Sequence, residues 1–201
     1  MQLKMLTGWK IISLMALLGI VGGLMVSHET RDEYASSAAI KIELDPSSKA
    51  TSAQIGAFVK RAVNDKVLSA MVEQYHLYPE LRAKDPMKSL VQMKKDIRIQ
   101  ATQFGGLAQP HPPNGIVVQF SYYDKPLSQR VCSALVSKLM EGTVDPAING
   151  IAPLTLELLY APSFPNGPIY PNRPNIIITG LLAGIVMGLS IAFIRRRPKP
   201  A

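Results

Sequence analysis

The chain is poor in the residues that most often build reactive centres. One cysteine, Cys132, among 201 residues excludes an internal disulfide framework and any multi-cysteine metal site. It lies beside the inward face of a predicted helix and reads as a small buried hydrophobe. His28, His76 and His111 are far apart, without H-E-x-x-H spacing, and read as solvated or interfacial side chains. No G-x-x-x-x-G-K-[ST] phosphate loop occurs, so no kinase domain is expected in these residues. No G-x-S-x-G nucleophile turn occurs either. The adjacent acids Asp32 and Glu33 make a poor glycosidase pair, because neighbours on a strand point to opposite faces. The expectation is a protein that is not an enzyme and takes no cofactor or metal.

Acid is missing from both ends. Residues 1–28 hold Lys4 and Lys10 and no carboxylate; residues 175–201 hold Arg195, Arg196, Arg197 and Lys199 and no carboxylate. The formal charge is +8, yet sixteen basic and fourteen acidic residues remain between the two ends. The basicity is terminal, which argues against a basic face for nucleic acid. The short run Lys94, Lys95, Arg98 reads as a solvated helix face.

Two uncharged apolar runs are present instead. Ile11–Ser27 reads IISLMALLGIVGGLMVS and Asn175–Ile194 reads NIIITGLLAGIVMGLSIAFI. About 20 mostly apolar residues cross a hydrocarbon core of roughly 30 Å as a helix. The first run reaches that length with Trp9, Lys10 and His28 at the interfaces. It is long for a signal-peptide core and no A-x-A-like site follows, so it reads as an anchor rather than a cleaved leader. Lys and Arg beside spans favour the cytoplasm. Lys4, Lys10, Arg195, Arg196, Arg197 and Lys199 therefore set both termini inside a bacterial inner membrane and the middle domain in the periplasm. Gly180, Gly184 and Gly188 recur every four residues, Ala192 extends the row, and Gly19 and Gly23 repeat the spacing in the first run. Small residues at that spacing line one helix face and allow close packing, within one chain or between chains.

The middle alternates between two periods. Glu33–Leu44 places Ala38, Ile40, Ile42 and Leu44 on one strand face. A turn at Asp45-Pro46-Ser47-Ser48 follows. A helical period then runs from Ser52 to about Tyr75 through Ile55, Val59, Val63, Leu68 and Met71. Pro79 and Pro86 mark breaks, and Pro86 opens a helix with Met87, Leu90, Val91 and Lys94. Ile97, Ile99 and Ala101, then Val118, Phe120 and Tyr122, form two strands joined by a proline- and glycine-rich loop. A helix from Asp124-Lys125-Pro126 to about Glu141 turns Leu127, Val131, Leu135 and Leu139 inward, and Leu154, Leu156, Leu158 and Tyr160 alternate as a last strand. The order β-α-α-α-β-β-α-β predicts an α+β domain with a four-stranded mixed sheet and packed helices. Its first and last strands run directly into the two spans.

Prolines 162, 165, 168, 171 and 174 recur at intervals of three. A polyproline helix has three residues per turn, so Pro162, Pro165, Pro168, Pro171 and Pro174 would form one stripe of an extended strut of roughly 37 Å, with Gly167 as its break point. The expected division is a tail at 1–8, a span at 9–28, the α+β domain at 29–161, the strut at 162–174, a span at 175–194 and a basic tail at 195–201.

In this order the segments resemble a family. YASSAAIKI follows the first span; VLSAMVEQYHLYPEL, MKSLVQMKKDIRIQ and IVVQFSYYDKPLSQRVCSALVSKLME follow in turn; APSFPNGPIYPNRPNIIITGLLAGIVMG enters the second span. The chain is similar to the polysaccharide co-polymerases, the bacterial chain-length determinant (Wzz-type) proteins. The resemblance implies a ring-forming homo-oligomer that sets the length of O-antigen or exopolysaccharide made by a membrane polymerase. It implies as partners the polymerase or export machinery, the lipid bilayer and a separate cytoplasmic tyrosine kinase. Family members usually insert a long helical arm where this chain has only Gly142–Pro153, so the resemblance is to the membrane-proximal base. A two-span sensor or adaptor that binds a ligand outside and signals through a partner is the alternative. The short tails leave such a protein little to signal with.

Overall fold

The protein is described by a computed structural model over residues 2–43, 52–104, 114–142 and 155–196. It divides into two compact units, Met1–Glu33 with Pro168–Ala201, and Tyr34–Gly167.

The first unit is a pair of helices, α1 (Gln2–Glu29) and α7 (Arg173–Arg196). Both contain stretches long and apolar enough to cross a membrane, Trp9–Glu29 and Arg173–Ile194. Only 11% of each apolar window is buried within the protein, unlike the core helix of a soluble domain.

The second unit is an α+β sandwich. Its elements are β1 (Tyr34–Glu43), α2 (Ser52–Ala62), α3 (Asp65–Gln74), α4 (Pro79–Lys84), α5 (Pro86–Asp96), β2 (Ile97–Thr102), β3 (Gly115–Tyr122), α6 (Lys125–Glu141) and β4 (Thr155–Tyr160). The strands form one sheet in the order β2-β3-β1-β4, and every neighbouring pair is antiparallel. The mixed sheet expected from the sequence is therefore corrected. Strands joined by helical crossovers do run parallel, but none are neighbours: β3 inserts between β1 and β2, and β1 between β3 and β4. This is a doubled split βαβ arrangement.

Local chemistry explains the helix boundaries. The period from Ser52 is interrupted at Asn64, whose side-chain oxygen accepts a 3.0 Å hydrogen bond from the Val67 amide and starts α3 afresh. Asp85 and Asp124 cap α5 and α6 the same way, through the amides of Met87 and Leu127 at 2.9 Å. Proline follows each of these two caps within two residues, where its missing N–H costs nothing. The extra short helix α4 begins at Pro79, so four helices rather than three separate β1 from β2. Just before it, His76 and Tyr78 both take φ of 50°, a left-handed conformation that side chains disfavour, and the Leu77 between them is fully buried.

One face of the sheet carries the core. Ala38, Ile40 and Ile42 of β1 and Ile116, Val118, Phe120 and Tyr122 of β3 alternate inward. Val131, Cys132, Leu135 and Leu139 of α6 cover them, with Ile55, Phe58, Leu68 and Met93 from the other helices. The last strand departs from the expected alternation. Only Leu156 is partly buried, while Leu158, Leu159 and Tyr160 are exposed, because β4 is an edge strand. Its register with β1 slips at Leu159, which has no partner between the pairs Ile40–Leu158 and Ala39–Tyr160. Leu44, Asp45-Pro46-Ser47-Ser48, most of the loop before Gly115 and Leu154 lie outside the described residues.

Candidate functional site

The glycines singled out in the sequence meet one another within one chain. Gly19 and Gly180 face each other so closely that a Cβ on either would strike the other's carbonyl oxygen. A Cβ on Gly184 would strike the carbonyl of Met15, and one on Gly188 would lie 2.8 Å from the Ile12 Cα. At Gly23 it would lie 3.2 Å from the Ile176 oxygen. As the α1 number falls from 23 to 12, the α7 number rises from 176 to 188, so the helices are antiparallel. The contact is backbone against backbone, as in membrane helix pairs, where apolar side chains gain nothing by leaving lipid. Gly22 stands apart, with nothing within 4 Å of its Cβ position.

Three hydroxyls on the pair satisfy themselves locally. The hydroxyls of Thr30, Thr179 and Ser190 donate to the carbonyls of Val26, Asn175 and Val186, four residues back, at 2.8–2.9 Å. A helix surrounded by hydrocarbon needs such internal satisfaction.

The antiparallel arrangement gathers the basic residues expected to set topology. Lys4 and Lys10 lie on the first turns of α1, and Arg195 and Arg196 on the last turn of α7, at the same end of the pair. Arg197 and Lys199 lie outside the described residues. The opposite end is tied together. Arg173 meets Asp32 at 2.9 Å, the Glu33 amide donates to the Tyr170 carbonyl, and the Ile169 amide donates to the Glu33 carbonyl, both at 2.8 Å. The sequence reading missed this clip. Its signal was an acid and a base placed where the two runs end, at Asp32 and Arg173.

The five prolines do not share one environment. Pro165 and Pro171 are buried, Pro168 and Pro174 exposed, and Pro162 lies between. Pro162 and Pro165 belong to the α+β unit; Pro168, Pro171 and Pro174 belong to the helix pair. Pro174 stands in the first turn of α7, a position that tolerates proline. Pro162 is held by the Gln129 side-chain amide, which donates to its carbonyl at 3.0 Å. The next residue is bound to β1: the Ser163 amide donates to the Ser37 carbonyl, and the buried Ser36 hydroxyl donates to the Ser163 carbonyl at 2.7 Å.

Two polar features lie in the α+β unit. The Tyr78 hydroxyl donates to Asp96 at 2.6 Å, the Gln92 side-chain amide donates to the same carboxylate at 2.9 Å, and the Tyr78 amide donates to the Tyr122 hydroxyl at 3.2 Å. Burial raises the Asp96 carboxyl above its ordinary range, against the opposing pull of Tyr78, Gln92 and Lys95. Burial also raises the Tyr122 phenol. Cys132 is fully buried, and its thiol is pushed up to about 11 by burial. It is a neutral packing residue rather than a nucleophile. No group of three His, Cys, Asp or Glu side chains suited to a metal occurs among the described residues. Asp32 and Glu33, close in sequence, are engaged in the clip.

No protein-family model matches the chain, and no curated protein matches it in sequence.

Proposed function

We propose that the chain is a two-span protein of a bacterial inner membrane, with both termini cytoplasmic and the α+β unit periplasmic. In this reading it is a non-enzymatic, oligomeric scaffold that influences the chain length, polymerisation or export of a surface polysaccharide. The observation that carries the reading is the antiparallel glycine-packed pair of apolar helices at the two ends of one α+β chain. Lys4, Lys10, Arg195 and Arg196 gather at one end, against Arg31 and the Asp32-paired Arg173 at the other. An excess of Lys and Arg beside one end of the pair favours that end's staying in the cytoplasm.

The family resemblance supports the polysaccharide assignment. The segments that carry it fall on β1, α3–α4, α5–β2, β3–α6 and the approach to α7. A membrane polymerase or exporter, further copies of the chain and a separate cytoplasmic tyrosine kinase are the partners it implies. Protease added to spheroplasts should cut within residues 34–167 and spare the tails. Deletion of the gene should alter the length distribution of surface polysaccharide on a gel. Unchanged sugar with altered transcription would favour the sensor instead, and a protein that stays monomeric in mild detergent would remove the scaffold.

A further inference from the structure

Strand β2 ends the sheet, so only its β3 side is paired among the described residues. Beside it the helical layer leaves an open groove of about 730 Å³. Val59, Val63, Leu68, Ile97 and Ile99 form its apolar lining. Ile97 and Ile99 sit opposite the fully buried Phe120 and Val118, yet remain only partly buried because nothing among the described residues closes the core over them. Lys60, Lys66 and Lys94 also line it. The single carboxylate there, Asp65, binds Lys94 at 2.7 Å, and the ammonium groups of Lys60 and Lys66 have no acidic partner among the described residues.

Gly56 adds an independent observation. It stands inside α2, where glycine weakens a helix, and a Cβ there would meet nothing within 4 Å. Nothing among the described residues requires that glycine. A second backbone lying close against α2 would.

We propose that this groove is the docking site of an extended acidic segment of a partner protein, added as a strand to the free edge of β2. Strand addition satisfies the edge's main-chain groups, and alternate side chains of the guest fall into the groove beside Ile97 and Ile99. Carboxylates on the guest complement the excess of lysine. Among the described residues no aromatic side chain lines the groove to stack on a sugar ring, and its open form suits a strand better than an enclosed acyl chain. The proposal is independent of the membrane reading.

The test uses the full chain in nanodiscs of phosphatidylcholine and two labelled octapeptides, alternating Glu-Val and alternating Lys-Val, read by fluorescence anisotropy. The acidic peptide should bind at least tenfold tighter than the basic one. N-methylation of alternate residues in the acidic peptide should cost at least tenfold. Lys60→Glu with Lys66→Glu should abolish the preference at unchanged melting temperature, since both side chains are exposed. Gly56→Ala should raise the melting temperature and weaken the acidic peptide at least threefold. Equal affinity for the two peptides, or indifference to N-methylation, overturns the proposal. So does displacement of the peptide by phosphatidylglycerol vesicles through the same lysines, which would make the occupant an anionic lipid.

Discussion

The two units use apolar residues in opposite ways. In the α+β unit large side chains are inside: Phe120, Ile40, Leu135 and Leu139 are wholly buried. In the helix pair the large side chains are outside and the glycines inside: Leu17 is 59% exposed and Leu182 58%, while Gly19 and Gly180 touch through their backbones. On the membrane reading proposed above, the solvent explains the inversion. Water drives side chains together, at about 25 cal/mol per Å² of apolar surface. Lipid offers a leucine the same surroundings as a protein core, so the helices gain by close backbone approach instead.

The largest test of this contrast is to truncate one side chain of each kind. Phe120→Ala should cost about 3–5 kcal/mol, much of the stability of a domain this size. Cys132 reports the outcome. Its buried, neutral thiol should resist iodoacetamide at pH 8 in the native protein and react quickly in the variant. Leu17→Ala and Leu182→Ala should leave that labelling unchanged. Fast labelling in either helix variant would mean that the exposed leucines support the fold, and the contrast would fail.

A substitution at the glycine contact sharpens it. Gly180→Leu drives a side chain into the Gly19 carbonyl and should weaken the pairing by about 1–3 kcal/mol, as overpacking does elsewhere. Spin labels on Leu17 and Leu182 should then report a longer and broader distance, with the Cys132 labelling rate unaltered. Gly22→Leu, one turn away and facing open space, should change neither. Equal effects at the two positions would place the contact elsewhere.

The sequence was legible where a single period decides the structure. The alternation in IVVQFSY and the helical spacing of Val131, Leu135 and Leu139 appear directly as buried residues of β3 and α6. The two apolar runs are helices of span length. What was not legible depends on partners distant in sequence. The all-antiparallel sheet follows from strand order, which no local pattern encodes. The exposure of Leu158 and Tyr160 follows from β4 lying at an edge. The break at Asn64 is local but depends on a side chain outcompeting the helix for a backbone amide. The glycine spacing gave the contact face, yet its pairing within the chain, and the gathering of Lys60, Lys66 and Lys94 from three helices, required the fold.

The clip at the far end of the helix pair predicts a smaller effect. Asp32 and Arg173 are both partly exposed, so water and salt screen their pairing. Asp32→Asn should weaken it by no more than about 1 kcal/mol. The Leu17–Leu182 distance should shift little, and the shift should vanish at high salt. A loss as large as that from Gly180→Leu would show that charge rather than backbone contact holds the pair.

Asp96 gives the subtlest prediction, because its burial and its hydrogen bonds oppose each other. Burial wins, and the folded-state pKa lies above the ordinary 3.8. A carboxyl so placed stabilises the fold fully below 3.8, and that contribution is lost as pH rises through the raised folded value. Asn at this position keeps an oxygen for the Tyr78 hydroxyl and does not ionise. The unfolding free energy of the native protein should therefore fall relative to that of Asp96→Asn as pH rises from 4 to 7, as measured by urea midpoints on the full chain in nanodiscs. Were the gap constant or reversed across that range, the bonds from Tyr78 and Gln92 would offset or outweigh burial in setting this acid's behaviour.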